Sequence, residues 1–289
     1  MNKLTKHIKV SPPYYALKNL QLLKSNGAYV SAEIPVEYPA GRECGSITAA
    51  EIGRHLAILG SCSLSQSNPI KEKHYYTANK ATLNCLCKEK VISKNSEFIG
   101  EAKTLSINKK KGIALSILKT QNNIPVFELT TEYQIIKEPI FDRLFISKKI
   151  TNNLSSIKLS SNPYTKEFPL TNIKYDNKNL SLTTKFDNLK QSDCIGHFDN
   201  YPIIPVSIMM HALSKAASKM LSKIVQVYNP AYFIHFATME AKKLAFAEDI
   251  VNIFVNYFGK FNDLYIFKCS AKNELNEKYG SLLLAMESL

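Results

Sequence analysis

The residues best suited to chemistry stand just ahead of a long apolar segment. Gly196-His197-Phe198-Asp199-Asn200-Tyr201-Pro202-Ile203-Ile204-Pro205 places a histidine on a loop that ends in a proline opening a helix. Proline fits the first helical turn, where its missing N–H would have had no partner. The free backbone N–H groups of that turn form a site for a developing oxyanion. A second group lies on another apolar segment. Thr48-x-x-Glu51 has the spacing of a capping box, in which the glutamate bonds back to the threonine backbone. His55 and His211 fall on apolar segments too, where a histidine is more often a hydrogen-bonded core residue than a catalyst. The six cysteines include no CxxC pair and no metal-ligand spacing, so they read as reduced thiols without a metal. No GxGxxG follows a strand, so no nicotinamide or flavin cofactor is expected.

Two helices must position these groups. The spacing predicts them over Thr48–Ser65 and Pro205–Val227. Both are apolar on most sides, so both are expected to be buried and wrapped by sheet. Each stops at an Asn-Pro pair, Asn68-Pro69 and Asn229-Pro230, because the residue before proline is pushed out of the α region. The likeness continues past the stop. His74 and His235 follow their prolines at the same interval, with Tyr75 and Phe236 next, and Thr77 and Thr238 keep the offset. His74 and His235 are expected at strand starts. β-branched and aromatic runs of strand length then follow in both halves. A repeat at half the chain length points to duplication of one module, 1–148 and 149–289. The join falls in the Lys-, Asn- and Ser-rich stretch between Glu138 and Thr165. Side by side, two such modules can pair their sheet edges.

The segment GHFDNYPIIPVSIMMHAL resembles the GHFPxxPxxPG motif of β-hydroxyacyl-(acyl carrier protein) dehydratases, which have the hotdog fold. FATMEAKKLAFAEDIVNIFV is similar to the strands that follow the helix in that family. The resemblance covers about Asp193 to Glu287. It implies an α+β double hotdog like that of polyketide synthase dehydratase domains, each module a long central helix wrapped by an antiparallel sheet. In the family a loop histidine works with an acid on the neighbouring module's helix. The acid position of the second module holds His211. In the first half Glu37-Tyr38-Pro39-Ala40 aligns with the loop, which puts Glu37 at the histidine position and Glu51 at the acid position. Glu51-Ile52-Gly53-Arg54-His55 resembles the Asp-x-x-x-Gln/His helix motif.

The resemblance thus implies one composite site. His197 would remove the α-proton of a thioester, and Glu51, kept protonated by an apolar site, would protonate the leaving β-hydroxyl. The Val206 N–H would hold the enolate oxygen, and His55 would orient Glu51 or the substrate. Glu37 and His211 would form a degenerate second site. Val206, Asn200 and Tyr201 stand where the family motifs carry glycine, and the histidine and acid modules are in reversed order. Met209 and Met210 are expected as tunnel or core filler; Tyr14, Tyr15, Tyr75 and Tyr76 are suited to lining an acyl pocket, but aromatics on strands are usually packing.

With 289 residues and 45% hydrophobic content, the chain can bury a substantial core. No apolar run reaches the ~18 residues of a membrane span. Met1–Leu23 lacks a signal-type apolar core, so a cytoplasmic protein is expected. The net charge of +13 is spread along the chain and no nucleic-acid motif accompanies it. It suits an acidic acyl carrier protein with a phosphopantetheine-linked chain, or acyl-CoA, the partners that the resemblance implies. A monomer or a homodimer is expected. The leading expectation is a dehydratase on β-hydroxyacyl thioesters in fatty acid or polyketide biosynthesis. The alternatives are a hotdog thioesterase in which Glu51 activates water, an acyltransferase or decarboxylase, and a non-catalytic acyl-binding module.

Overall fold

The computed structural model describes residues 3–23, 29–38, 41–89, 97–150, 161–187, 189–198 and 200–289. The first part of the chain carries β1 (Lys18–Leu22), β2 (Tyr29–Ile34), α1 (Ala49–Ser67), β3 (His74–Cys85), β4 (Phe98–Ile107), β5 (Lys111–Thr120), β6 (Pro125–Lys137) and α2 (Glu138–Leu144). The second carries β7 (Thr171–Asp176), β8 (Ser181–Phe186), α3 (Val206–Val225), β9 (Tyr232–Ala241), β10 (Val251–Phe261), β11 (Leu264–Lys272) and β12 (Lys278–Ser288). Twelve strands form one sheet in the order β1-β2-β4-β5-β6-β3-β9-β12-β11-β10-β8-β7. The first six strands and the last six run through the same pattern from opposite edges. They meet at β3 and β9, paired antiparallel from Lys80 opposite Glu240 to Asn84 opposite Phe236.

Both long helices form where their capping and apolar pattern put them. The Thr48 hydroxyl accepts the Glu51 N–H at 3.2 Å and starts α1. Asn68 donates its N–H to Leu64 O as α1 ends before Pro69. Nearly every residue from Ala49 to Ser65 is buried, because strands cover the helix. Gly60 is required there: a Cβ would lie 2.6 Å from Tyr133 Oη and 3.1 Å from Ala114 Cβ. α3 opens directly after Pro205, as expected. It closes earlier than Asn229-Pro230 dictates, at Gln226, whose left-handed φ of 56° unwinds the last turn.

Two expectations need correction. The stretch 138–150 is not plain linker. α2 docks there, with Phe141 stacked on Tyr75 at 3.8 Å between ring centres and packed against Tyr201. The part of the join at 151–160 lies outside the described residues. His74 does open β3, but His235 lies inside β9, with Nε2 2.6 Å from Glu287 Oε2. All six cysteines are free.

Candidate functional site

The loop that carries His197 is fixed by close backbone contacts. Gly196 has φ +83°, and a Cβ on it would meet Ser11 O at 2.3 Å. Ser11 in turn donates its N–H to Gly196 O at 2.8 Å. Only glycine fits both the conformation and the space. The next residue, His197, is buried and has Nδ1 3.1 Å from the Ile203 carbonyl oxygen. A carbonyl only accepts, so Nδ1 carries the proton and Nε2 keeps its lone pair. Tyr14 meets the imidazole edge-on at 4.8 Å, and Phe198 stacks on it at 4.2 Å. Burial lowers the imidazole to about 4, so it is neutral at pH 7.

His197 faces a cavity of 110 Å³. Val206 and Ser207, the first residues of α3, line it from one side and Gly53, Arg54 and Ala57 of α1 from the other. Its apolar depth is formed where β3 meets β9, by Ala78, Ala81, Leu83 and Met239. Tyr14, Tyr76, Met209 and Met210 also line it. Val206 stands at the first helical position, where N–H groups have no partner within the helix.

Glu51 is placed differently from the composite site of the sequence reading. Its carboxylate accepts the Glu37 N–H at 2.6 Å and the Tyr38 N–H at 3.3 Å. Half of the capping box forms: the Thr48 hydroxyl takes the Glu51 amide, while the Glu51 carboxylate turns to the Glu37 loop. Burial raises this carboxyl to about 7, opposed by the amide bonds and by Arg54. Glu51 lines a second cavity of 40 Å³ with Tyr38, Tyr164 and His211, not the cavity that His197 lines. Arg54 and Ser207 line both.

The other expected residues gather round Arg54. Its Nη2 forms an ion pair with Glu37 and lies 3.1 Å from His55 Nε2. His55 is held neutral by burial, at about 3, so Nε2 accepts from the guanidinium. The same nitrogen is 3.6 Å from Glu51 Oε1, so the hydrogen-bond partner of His55 is Arg54 rather than Glu51. Glu37 also accepts from Asn162 Nδ2 at 2.9 Å. His211 Nε2 instead lies 2.8 Å from the Tyr38 hydroxyl, and burial lowers this imidazole to about 4. Glu37 and His211 therefore have separate partners. Pro39, Ala40 and Asp199 lie outside the described residues.

Glu37, Glu51 and His55 present ligand atoms within 4.8 Å of one another, a spacing suited to a metal ion. The guanidinium of Arg54 already supplies positive charge to that cluster. Arg54 also lies over the Tyr164 ring at 5.1 Å and the Tyr14 ring at 6.0 Å. Sequence reasoning gave Arg54, Tyr38 and Asn162 no role. One signal was present for Arg54: it is the one Lys or Arg within α1, an otherwise apolar and buried helix.

No family model matches the sequence, and no curated protein sequence does. Solved structures do match over nearly the whole chain. A tesB protein of Mycobacterium avium subs paratuberculosis aligns with TM-score 0.61 and 9% identity, covering 94% of this chain and 96% of that one. The 12:0-ACP thioesterase of Umbellularia californica aligns with TM-score 0.56 and 7% identity, over 96% of this chain and 100% of that one. A conserved protein of unknown function with hot dog fold from Alicyclobacillus acidocaldarius aligns with TM-score 0.56 and 8% identity, over 100% and 98%. The likeness is one of fold: this chain has an α+β hotdog architecture.

Proposed function

We propose that this protein is a hotdog thioesterase, hydrolysing an acyl thioester in the cavity lined by His197. One observation carries the reading. A neutral imidazole, oriented through Nδ1 by the Ile203 carbonyl, faces an apolar cavity at the N-terminus of α3, and none of the described residues lining that cavity is a carboxylate. Dehydration would require an acid at the β-hydroxyl, and Glu51 lines the other cavity. Hydrolysis requires only a base and an oxyanion site there. Two of the similar structures are a tesB protein and a 12:0-ACP thioesterase, which supports this choice.

The steps follow from the geometry. Nε2 of His197 takes a proton from water as the water oxygen bonds to the thioester carbon. The carbonyl π electrons move onto oxygen, and the helix N–H groups at Val206 and Ser207 stabilise that charge. The C–S bond then breaks. The departing sulfur takes its proton from the imidazolium, which returns to the neutral form. The acyl chain lies in the apolar depth by Ala81 and Met239. Glu51 and Arg54 act here as positioning residues that hold the 37–38 loop against α1.

The same reading takes the chain as two hotdog modules, 1–148 and 149–289, descended from one, which the shared strand pattern supports. The net charge of +13 favours an anionic carrier, acyl-CoA or acyl-pantetheine on an acidic protein. The test is release of free thiol from acyl-CoA and acyl-pantetheine, followed with a thiol-reactive chromophore. Thiol release above the buffer rate supports the reading, and an intact thioester after prolonged incubation overturns it.

A further inference from the structure

The outer face of the sheet differs in charge between the two halves. In the second half, Leu182 of β8, Val255 of β10 and Phe267 of β11 are buried on the side covered by α3, so alternate positions face outward. The register sets those outward positions in rows. Lys185, Asn252 and Lys272 form one, Lys174, Thr183, Phe254 and Ser270 the next, and Asn256 and Lys268 a third. The strands β7, β8, β10 and β11 hold five lysines and a single acid, Asp176. That carboxylate accepts from the amides of Lys178 and Asn179 in its own turn. The strands at the same places in the first half balance their charge. There Glu33 lies opposite Lys18, and Glu101 pairs with Lys119 at 2.7 Å.

The end of the β10–β11 hairpin is apolar. The register shifts between Tyr257 and Gly259, which leaves Phe258 as the unpaired residue of a bulge, 78% exposed. Phe261, at the end of β10, is 71% exposed. Lys260 between them is offset by Asp263, 3.8 Å away. A ring serving as a stacking platform for bases lies flat on its sheet, with one side covered, whereas these two rings stand clear. Protruding phenylalanines beside unbalanced lysines complement a surface that is anionic outside and apolar within.

We propose that the β10–β11 hairpin docks this protein on an anionic lipid bilayer. Phe258 and Phe261 enter the headgroup region, and the lysines of the adjoining sheet face are held near the lipid charge. The inference stands apart from the hydrolase reading, since no residue of the His197 cavity takes part in it.

The experiment is flotation of the full chain with two kinds of vesicle, phosphatidylcholine alone and phosphatidylcholine with about one third phosphatidylserine. Partitioning onto the anionic vesicles is expected to be about tenfold stronger or more, and to weaken with salt. The double variant Lys185→Gln/Lys268→Gln is expected to lower it about tenfold, at roughly fivefold per lysine. Lys109→Gln/Lys110→Gln makes the same change of net charge on the exposed β4–β5 turn, away from this face, and is expected to have little effect. Phe258→Ser/Phe261→Ser is expected to remove the binding that persists in high salt. The chain has no tryptophan, so Phe261→Trp supplies a single reporter. Its emission is expected to shift to the blue with anionic vesicles and to be quenched by brominated lipid. Equal partitioning onto both vesicles, or equal losses in the two lysine variants, overturns the inference. An unshifted tryptophan overturns it too. So does binding of a single-stranded oligonucleotide, or self-association, that depends on Phe258 and Phe261 while vesicles are ignored.

Discussion

The Ile203 carbonyl oxygen lies 3.1 Å from Nδ1 of His197, six residues before it on the same loop. That one contact fixes the tautomer and leaves Nε2 as the lone-pair nitrogen in the buried site. Burial lowers the imidazole to about 4. The base is therefore already deprotonated well below neutrality. The acid limb of kcat/KM for thioester hydrolysis is expected near pH 4, rather than near the ordinary histidine value of 6.5. A pH–rate profile checks this, and a limb centred above pH 6 contradicts it.

Gly196 holds that loop in place, and the cost of changing it follows from two causes. Its φ of +83° is strained for any other residue, and a Cβ would meet Ser11 O at 2.3 Å and Tyr14 N at 2.9 Å. Gly196→Ala is expected to lose about 2–4 kcal/mol of stability by denaturant unfolding, from strain plus overpacking. Because His197 is the next residue, activity is expected to fall even where the variant remains folded. An unchanged unfolding midpoint would show that the loop relaxes freely.

Chain selection is expected to depend on the seam between β3 and β9. The register between β3 and β6 shifts between Ala78 and Lys80, and Ala78 and Ala81 both line the cavity. This irregularity keeps two small side chains on one wall, where strict alternation would turn one of them away. Ala81→Leu is expected to reduce kcat/KM for long acyl chains by tenfold or more while sparing the shortest ones. A series of acyl-CoA lengths measures it, and a uniform loss at every length contradicts the placement of the chain.

Much of this organisation was legible in the sequence. The apolar runs, the Thr48 cap and the Asn68-Pro69 stop found the helices, and the runs of strand-forming residues found the doubled strand pattern, because these signals are local; the end of α3 at Gln226 was not marked by Asn229-Pro230. The loop histidine was legible for the same reason. The direction of the Glu51 carboxylate was not. A glutamate at a helix start has several donors within reach, and only the folded loop brings the Glu37 and Tyr38 amides to it. The part played by Arg54 was equally hidden, since its partners Glu37 and Tyr164 come together only in three dimensions. α2 was missed because it is short and its Lys137 cap and internal Arg143 resemble the surrounding linker.

Buried carboxyls should leave a signature in stability. Glu43 is buried, accepts the Ala49 N–H at 2.6 Å, and is raised by burial from 4.5 to about 7. The folded state then binds the proton more tightly than the unfolded one. The stabilising contribution is complete below the unfolded value of 4.5 and is lost as pH rises to about 7. The lowered imidazoles of His197 and His211 act in the opposite sense between pH 4 and 6.5, so the wild-type curve alone mixes the two effects. The difference between Glu43→Gln and wild type cancels the histidines. It is expected to move in favour of the variant by about 3 kcal/mol between pH 4.5 and 7.5. A difference independent of pH would contradict the burial argument.

The central claim is that His197 is the base and that Glu51 only positions its surroundings. Mass spectrometry of a 3-hydroxyacyl-pantetheine thioester, incubated with wild type, His197→Gln and Glu51→Gln, tests it most directly. Wild type is expected to yield free acid and thiol. Glu51→Gln should retain measurable hydrolysis, while His197→Gln falls by a factor of roughly 10²–10⁴, the usual contribution of a general base. Loss of water from the thioester, abolished by both substitutions, would instead make His197 and Glu51 a dehydratase pair and contradict the assignment.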